Sequence, residues 1–200
     1  AKEAAFATYM LANGSGKKRM GRYGQSQEAL EWRTLFLSSG EIGLSSHLAE
    51  AGEKHRAGQF VRLVEVDADA GKGFGVFDHL PSNETAALMA DRLSFSSGQY
   101  FGSAIDDFLK KLVKMEPKEI HKTWDSSATQ LSSPDHSGQI NRVVKRFALI
   151  AAGGKLAAKM GILPFSEEEI LIAARECFNS WVQHHSSHPD FESEKILATV

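Results

Sequence analysis

Trp32–Glu41 reads WRTLFLSSGE and Gln59–Asp67 reads QFVRLVEVD, and the fold class turns on these two stretches. The first has the β-rich, apolar content of a buried strand, closed by Ser38-Ser39-Gly40-Glu41. The second alternates apolar and polar residues, the pattern of a strand with one buried face. Between them Leu44 to His55 reads as a short helix, so this part of the chain predicts strand–helix–strand with both strands in one sheet. Upstream, Glu3 to Ala12 (EAAFATYMLA) is Ala-rich, with Phe6, Tyr9 and Met10 at helical spacing. Asn13-Gly14-Ser15-Gly16 ends that helix, because Gly and Asn supply the positive-φ residues on which helices stop.

Beyond the turn-rich DAGKGFG stretch (Asp69 to Gly75) the pattern is helical. Glu84 to Phe95 and Tyr100 to Met115 are expected helices, the second with Phe101, Ile105, Phe108, Leu109 and Leu112 on one face. Pro117 to Trp124 starts another, with Pro tolerated in its first turn. Ser126 to Gly138 (SSATQLSSPDHSG) reads as a loop. Gln139 to Met160 carries a stripe of Ile140, Val143, Val144, Phe147, Ile150 and Ala151, and Gly153-Gly154 are expected to permit close helix–helix approach. Ser166-Glu167-Glu168-Glu169 forms a capping box. The helix it opens is expected to bury Ile170, Ala173, Cys177, Trp181 and Val182. The expected architecture is thus α/β but mostly helical, with a core portion over residues 1–75 and a helical bundle over 76–200.

The 200 residues are 42% apolar and 24% charged with a formal net charge of −2, an ordinary composition that excludes disordered, collagenous and coiled-coil classes. No apolar run approaches the roughly 20 residues of a membrane span, and nothing near Ala1 resembles a signal peptide. The single cysteine, Cys177, excludes an intrachain disulfide framework and fits a reducing, cytoplasmic setting. A Walker A loop needs G-x-x-x-x-G-K-[ST] to cradle phosphates. Gly16-Lys17, Gly71-Lys72 and Gly154-Lys155 all fail it, since Leu11, Val66 and Leu149 stand at the first glycine position. His184, His185 and His188 have metal-like spacing without a Cys or carboxylate framework, so no metal is expected there.

With charge nearly balanced overall, nucleic-acid affinity has to come from a local patch. Lys17, Lys18, Arg19 and Arg22 place four cations in six residues, beside Tyr23 and interleaved glycines. Phosphate neutralisation uses such a cluster, and an aromatic can stack on a base. A solvated surface loop is the competing reading. Arg62 is read as an exposed strand-face arginine between Val61 and Leu63. Arg142 and Arg146, four residues apart, share a helix face, and Glu41 after the first strand is a helix-capping carboxylate or a group that orients water or an arginine.

Several blocks of the chain resemble, in order, the C-terminal half of a bacterial family known as domain of unknown function 927. They are YMLANGSGKKR (Tyr9 to Arg19), WRTLFLSSGE (Trp32 to Glu41), AGQFVRL (Ala57 to Leu63), RVVKRFALIAAGGKLA (Arg142 to Ala157) and SEEEILIAARECFNSW (Ser166 to Trp181). Members of that family sit in primase/helicase-like proteins of phages and mobile elements. The resemblance implies the end of a P-loop αβα core followed by a helical lid, with the P-loop upstream. ATP and Mg would bind there, in the longer protein only. The layout is also similar to the second half of an AAA+ ATPase of the minichromosome-maintenance type. That similarity implies a pre-sensor hairpin at Lys17 to Arg22 and sensor 1 at Ser39, where Asn or Thr is usual. It further implies an arginine finger at Arg62 and a sensor-2 arginine at Arg142 or Arg146. The implied partners are single-stranded or forked DNA and further copies of the chain. The alternative is a non-catalytic nucleic-acid-binding or protein-interaction module.

Overall fold

The computed structural model describes residues 2–17, 20, 25, 28–52 and 57–186. The chain forms two compact units, one of Ala1–Glu65 together with His184–Val200 and the other Val66–Gln183. Among the described residues the chain is mostly helical and holds no extended sheet; a β-bridge pairs Ser15 with Glu31 in antiparallel sense.

In the first unit, α1 (Lys2–Asn13), α2 (Leu44–Glu50) and α3 (Ala57–Phe60) pack together, α1 meeting both of the others. The core is small: Leu44, Leu48, Phe60 and Val61 are the buried apolar side chains. Neither expected strand forms. Trp32–Gly40 has no regular secondary structure, Leu35 and Phe36 are exposed, and Leu37 is fully so at 101%. A strand satisfies its N–H and C=O groups only on a neighbouring strand, and among the described residues this segment has none. The second expected strand begins instead as α3. Gln59 O accepts from both Arg62 N (3.0 Å) and Leu63 N (2.8 Å), turning the chain at once. Gln59, Phe60 and Val61 are consecutive and all buried, which a helical turn permits and a half-buried strand does not. The helix expected over Leu44 to His55 ends at Glu50, where Ala51 and Gly52 close it; residues 53–56 lie outside the described ones.

The start of α2 was not legible locally. The N-cap Gly43 has no capping side chain of its own, and the Glu65 carboxylate accepts the Leu44 N–H instead. A Cβ on Gly43 would stand 2.8 Å from Glu65 Oε2, so glycine is what lets the carboxylate reach the helix end.

The second unit holds α4 (Ala86–Gln99), α5 (Ser103–Leu112), α6 (Pro117–Leu131), α7 (Gly138–Lys159) and α8 (Glu167–Ser186). Its core lies among the last three. Helix α7 buries ten residues, Val143, Val144, Phe147, Ala148 and Ala151 among them, and packs along α6. Phe147 meets Phe178 edge-on at 5.6 Å, and Phe178 stacks on Trp181 at 6.3 Å.

Three expectations are corrected in this unit. The loop expected from Ser126 is helical to Leu131. Thr123, Ser127, Thr129 and Ser132 turn their hydroxyls back onto carbonyls four residues earlier, so these polar residues satisfy themselves within the helix. On α7, Ile150 is exposed while Ala148 and Ala152 are buried. On α8 Trp181 is buried as expected, but Leu171, Ala174 and Phe178 are buried in place of Ile170, Ala173 and Cys177, and Cys177 is exposed. One residue is about 100° of helix, enough to turn Cys177 out of the core.

The capping box forms as expected. Glu169 Oε2 accepts from Ser166 N and Ser166 Oγ, both at 2.7 Å, and Glu169 N donates to Ser166 Oγ at 3.2 Å. The backbone and hydroxyl donors of Ser166 hold the Glu169 carboxyl below its ordinary pKa. Gly154 is a true close approach: a Cβ there would stand 2.7 Å from Ile170 Cγ2, whereas at Gly153 it would meet nothing within 4 Å. No helix among the described residues is long and apolar enough to cross a membrane.

Candidate nucleic-acid interface

The end of α1 sets the geometry of the basic segment. Gly14, at φ +68°, leaves the helix, and a Cβ on it would stand 2.5 Å from Trp32 O. Only glycine allows both the left-handed turn and that approach. Trp32 N then donates to Gly14 O and Gly16 N to Leu30 O, each at 2.8 Å, around the Ser15–Glu31 bridge. The Trp32 indole N–H donates to Leu11 O at 3.2 Å, satisfying one of the carbonyls a helix leaves open at its C-terminus. The chain is therefore pinched into a neck at Gly14–Gly16 and Leu30–Trp32.

In sequence, the residues between the two sides of that neck include all four cations of the basic cluster. Lys17 is exposed and sits over the Phe6 ring, 4.3 Å from its centroid. Met20 is exposed. Lys18, Arg19 and Arg22 lie outside the described residues. Trp32 closes the neck, a role its sequence neighbourhood does not signal because its partners are about 20 positions away.

Arg62 follows α3 in a turn rather than a strand. Its Nη1 donates to Gly58 O at 2.8 Å, and its guanidinium lies over the Tyr9 ring at 4.8 Å. A Cβ on Gly58 would come within 3.1 Å of both Arg62 Nη1 and the Tyr9 hydroxyl, so Gly58 makes room for that stack. Phe6 and Tyr9, three residues apart on α1, thus each carry a cation. Ser39 and Glu41 are exposed in the non-helical segment before α2. Arg142, exposed, and Arg146, half-buried, stand on α7 of the other unit.

That unit also buries a lysine that sequence reasoning missed. Lys155 falls on the α7 stripe at helical spacing after Val144, Ala148 and Ala151, which was the available signal. Its Nζ donates to Gln130 Oε1 at 2.9 Å, and Arg175 Nη2 donates to Gln130 O at 3.3 Å. Burial pushes the Lys155 pKa down; Glu167 opposes the shift and Arg175 adds to it. The cluster joins α6, α7 and α8 through one glutamine. Among the described residues no group of three or more His, Cys, Asp or Glu is arranged to hold a metal. No family model, curated protein or solved structure matches this chain.

Proposed function

We propose that this chain is the DNA-contacting part of an ATP-driven replication or helicase-like protein of a mobile element. The reading rests on one observation: the bridge between Ser15 and Glu31 brackets a stretch of sequence with four cations in six residues. A tethered basic segment can follow a phosphate backbone while its base stays anchored. ATP and Mg would bind a P-loop outside these residues, because no Gly-Lys pair here has the required glycine spacing. In this reading the exposed Leu35-Phe36-Leu37 run is an edge that joins an α/β core supplied by other chain. Helices α6 to α8 then act as the lid. The protein would work in the cytoplasm as a homo-oligomer on single-stranded or forked DNA.

Arg62, Ser39, Glu41, Arg142 and Arg146 are the proposed nucleotide-responsive groups of that assembly. The stacking of Arg62 on Tyr9 and its bond to Gly58 O favour a second reading for that residue. There it pins α3 to α1, and the chain is a non-catalytic nucleic-acid-binding module.

The deciding experiment replaces Lys17, Lys18, Arg19 and Arg22 together by Gln and titrates single-stranded DNA at several salt concentrations. Binding should weaken, and the salt slope should flatten by roughly 0.7 for each phosphate that is no longer neutralised. An unchanged slope would assign the segment to ordinary surface. Restoration of ATP turnover on mixing an Arg62→Ala protein with a P-loop variant would favour the finger over the pin.

A further inference from the structure

Helix α5 has no buried residue, and neither has α4 before it. A ten-residue helix is too short to persist in water on its own propensity, since isolated helices need roughly 12–15 residues even to be marginal. One side of it carries Ile105 and Leu109, exposed by 58% and 49%, with Val113 at the C-cap and Phe101 just before the N-cap Gly102 both exposed by 78%. The other side is already engaged within the unit: Lys111 Nζ donates to Met160 O at 2.9 Å and pairs with Asp107 at 3.5 Å. The stripe is thus held outward.

Charge along one edge of the stripe says what covers it. Asp106 and Lys110, both well exposed, lie beside Ile105 and Leu109 and pair with each other. When two copies of a helix meet antiparallel, the same edge of each runs alongside the other in reverse order. Asp106 then faces the second copy's Lys110, and Lys110 faces the second copy's Asp106. In the same register Ile105 meets Leu109. A parallel arrangement would set both charges against the uncharged edge of Ala104 and Phe108. A lipid surface is the poorer occupant, because Asp106 and Asp107 neutralise the lysines that an interfacial helix needs free.

We infer that this face of α5 is a homodimer interface, in which two copies of the chain pair antiparallel about a two-fold axis near residues 107–108. The arrangement is isologous and closes on itself, so it yields a dimer and no filament. Aromatic side chains bury roughly 150–250 Å² each, so Phe101 and the adjoining exposed Tyr100 from two copies supply much of the ~1,000 Å² a specific interface needs. This inference does not depend on the DNA reading.

Sedimentation of the 200-residue chain across micromolar concentrations should show a monomer–dimer equilibrium. Asp106→Lys should weaken the dimer at least about tenfold by setting Lys against Lys, and Lys110→Asp likewise by setting Asp against Asp. Mixing the two variants should restore association as a heterodimer, because each then faces its complement. Far-UV circular dichroism of both variants separates loss of pairing from loss of the helix. If α5 unfolds in them, Leu109→Gln, which keeps every charge, should weaken the dimer instead. A chain that stays monomeric overturns the inference. So do a dimer indifferent to all three variants, failure of the mixture to recover, and α5-dependent binding of the monomer to phosphatidylserine vesicles.

Discussion

Trp32–Gly40 and α7 are both rich in apolar residues, and they end in opposite states. Helix α7 buries ten of its residues, while Leu35, Phe36 and Leu37 stand in solvent without regular structure. The difference lies in where the backbone hydrogen bonds come from. A helix closes them within its own 22 residues, leaving a stripe that only needs other helices to lie against it. An extended segment must borrow every partner from another strand. Apolar content alone therefore does not bury a segment. It must also be able to satisfy its own backbone, or be given a neighbour that does.

The sharpest way to break that contrast is to truncate one phenylalanine in each region. Phe178 is 2% exposed, between Phe147 and Trp181, and Phe178→Ala should cost about 3–5 kcal/mol. Phe36→Ala should change stability by less than about 0.5 kcal/mol. Urea titration followed by tryptophan fluorescence reads both, since Trp124 and Trp181 report on the helical core and Trp32 on the first unit. Comparable losses would mean that the 32–40 segment is packed in solution.

Within α7 the two adjacent glycines sharpen the comparison further. Gly153→Ala meets open space and should stabilise by about 0.5–1 kcal/mol through helix propensity. Gly154→Ala drives a methyl against the stiff β-branch of Ile170, and overpacking of that kind costs about 1–3 kcal/mol. Melting temperatures should move in opposite directions. Equal shifts would show that α7 and α8 separate enough to ignore one methyl.

The smallest effect is one of pH. Burial lowers the folded-state pKa of Lys155, so between that value and the ordinary lysine value the unfolded chain binds more protons than the folded one. Stability must rise with pH across that window, and the penalty of burying the ammonium is fully present below it. Lys155→Met should abolish this rise, so wild type gains on the variant as the solution becomes more alkaline. Parallel pH profiles of the two proteins would place the ammonium in water.

Most of α6 to α8 could be read from residue spacing, and its errors were small rotations. Cys177 and Phe178 are neighbours in sequence, and either completes a plausible stripe; packing of Phe178 against Phe147 settled which. Serines and threonines near the end of α6 read as loop because their hydroxyls compete with the backbone, yet here they close onto the helix itself. The basic cluster was visible as composition, whereas its neck was not, because Gly14–Gly16 and Leu30–Trp32 carry no shared pattern. Arg62 was legible as a charged residue among apolar ones. Its partners Tyr9 and Gly58 became known only once α3 lay on α1.

By itself the sequence determined helices α7 and α8, the start of α6, the Ser166–Glu169 cap, the absence of a Walker A motif and the position of the cations in the chain. Each of these depends on residues within a few positions of one another, where spacing and local hydrogen bonding settle the outcome. Tertiary structure alone decided that Gln59–Asp67 begins as a helical turn and that Glu65 caps α2 from 21 residues away. It also decided which glycine of the α7 pair touches α8 and which side of α5 is left outward. Those outcomes depend on contacts between distant residues, whose energies appear only when the chain has brought them together.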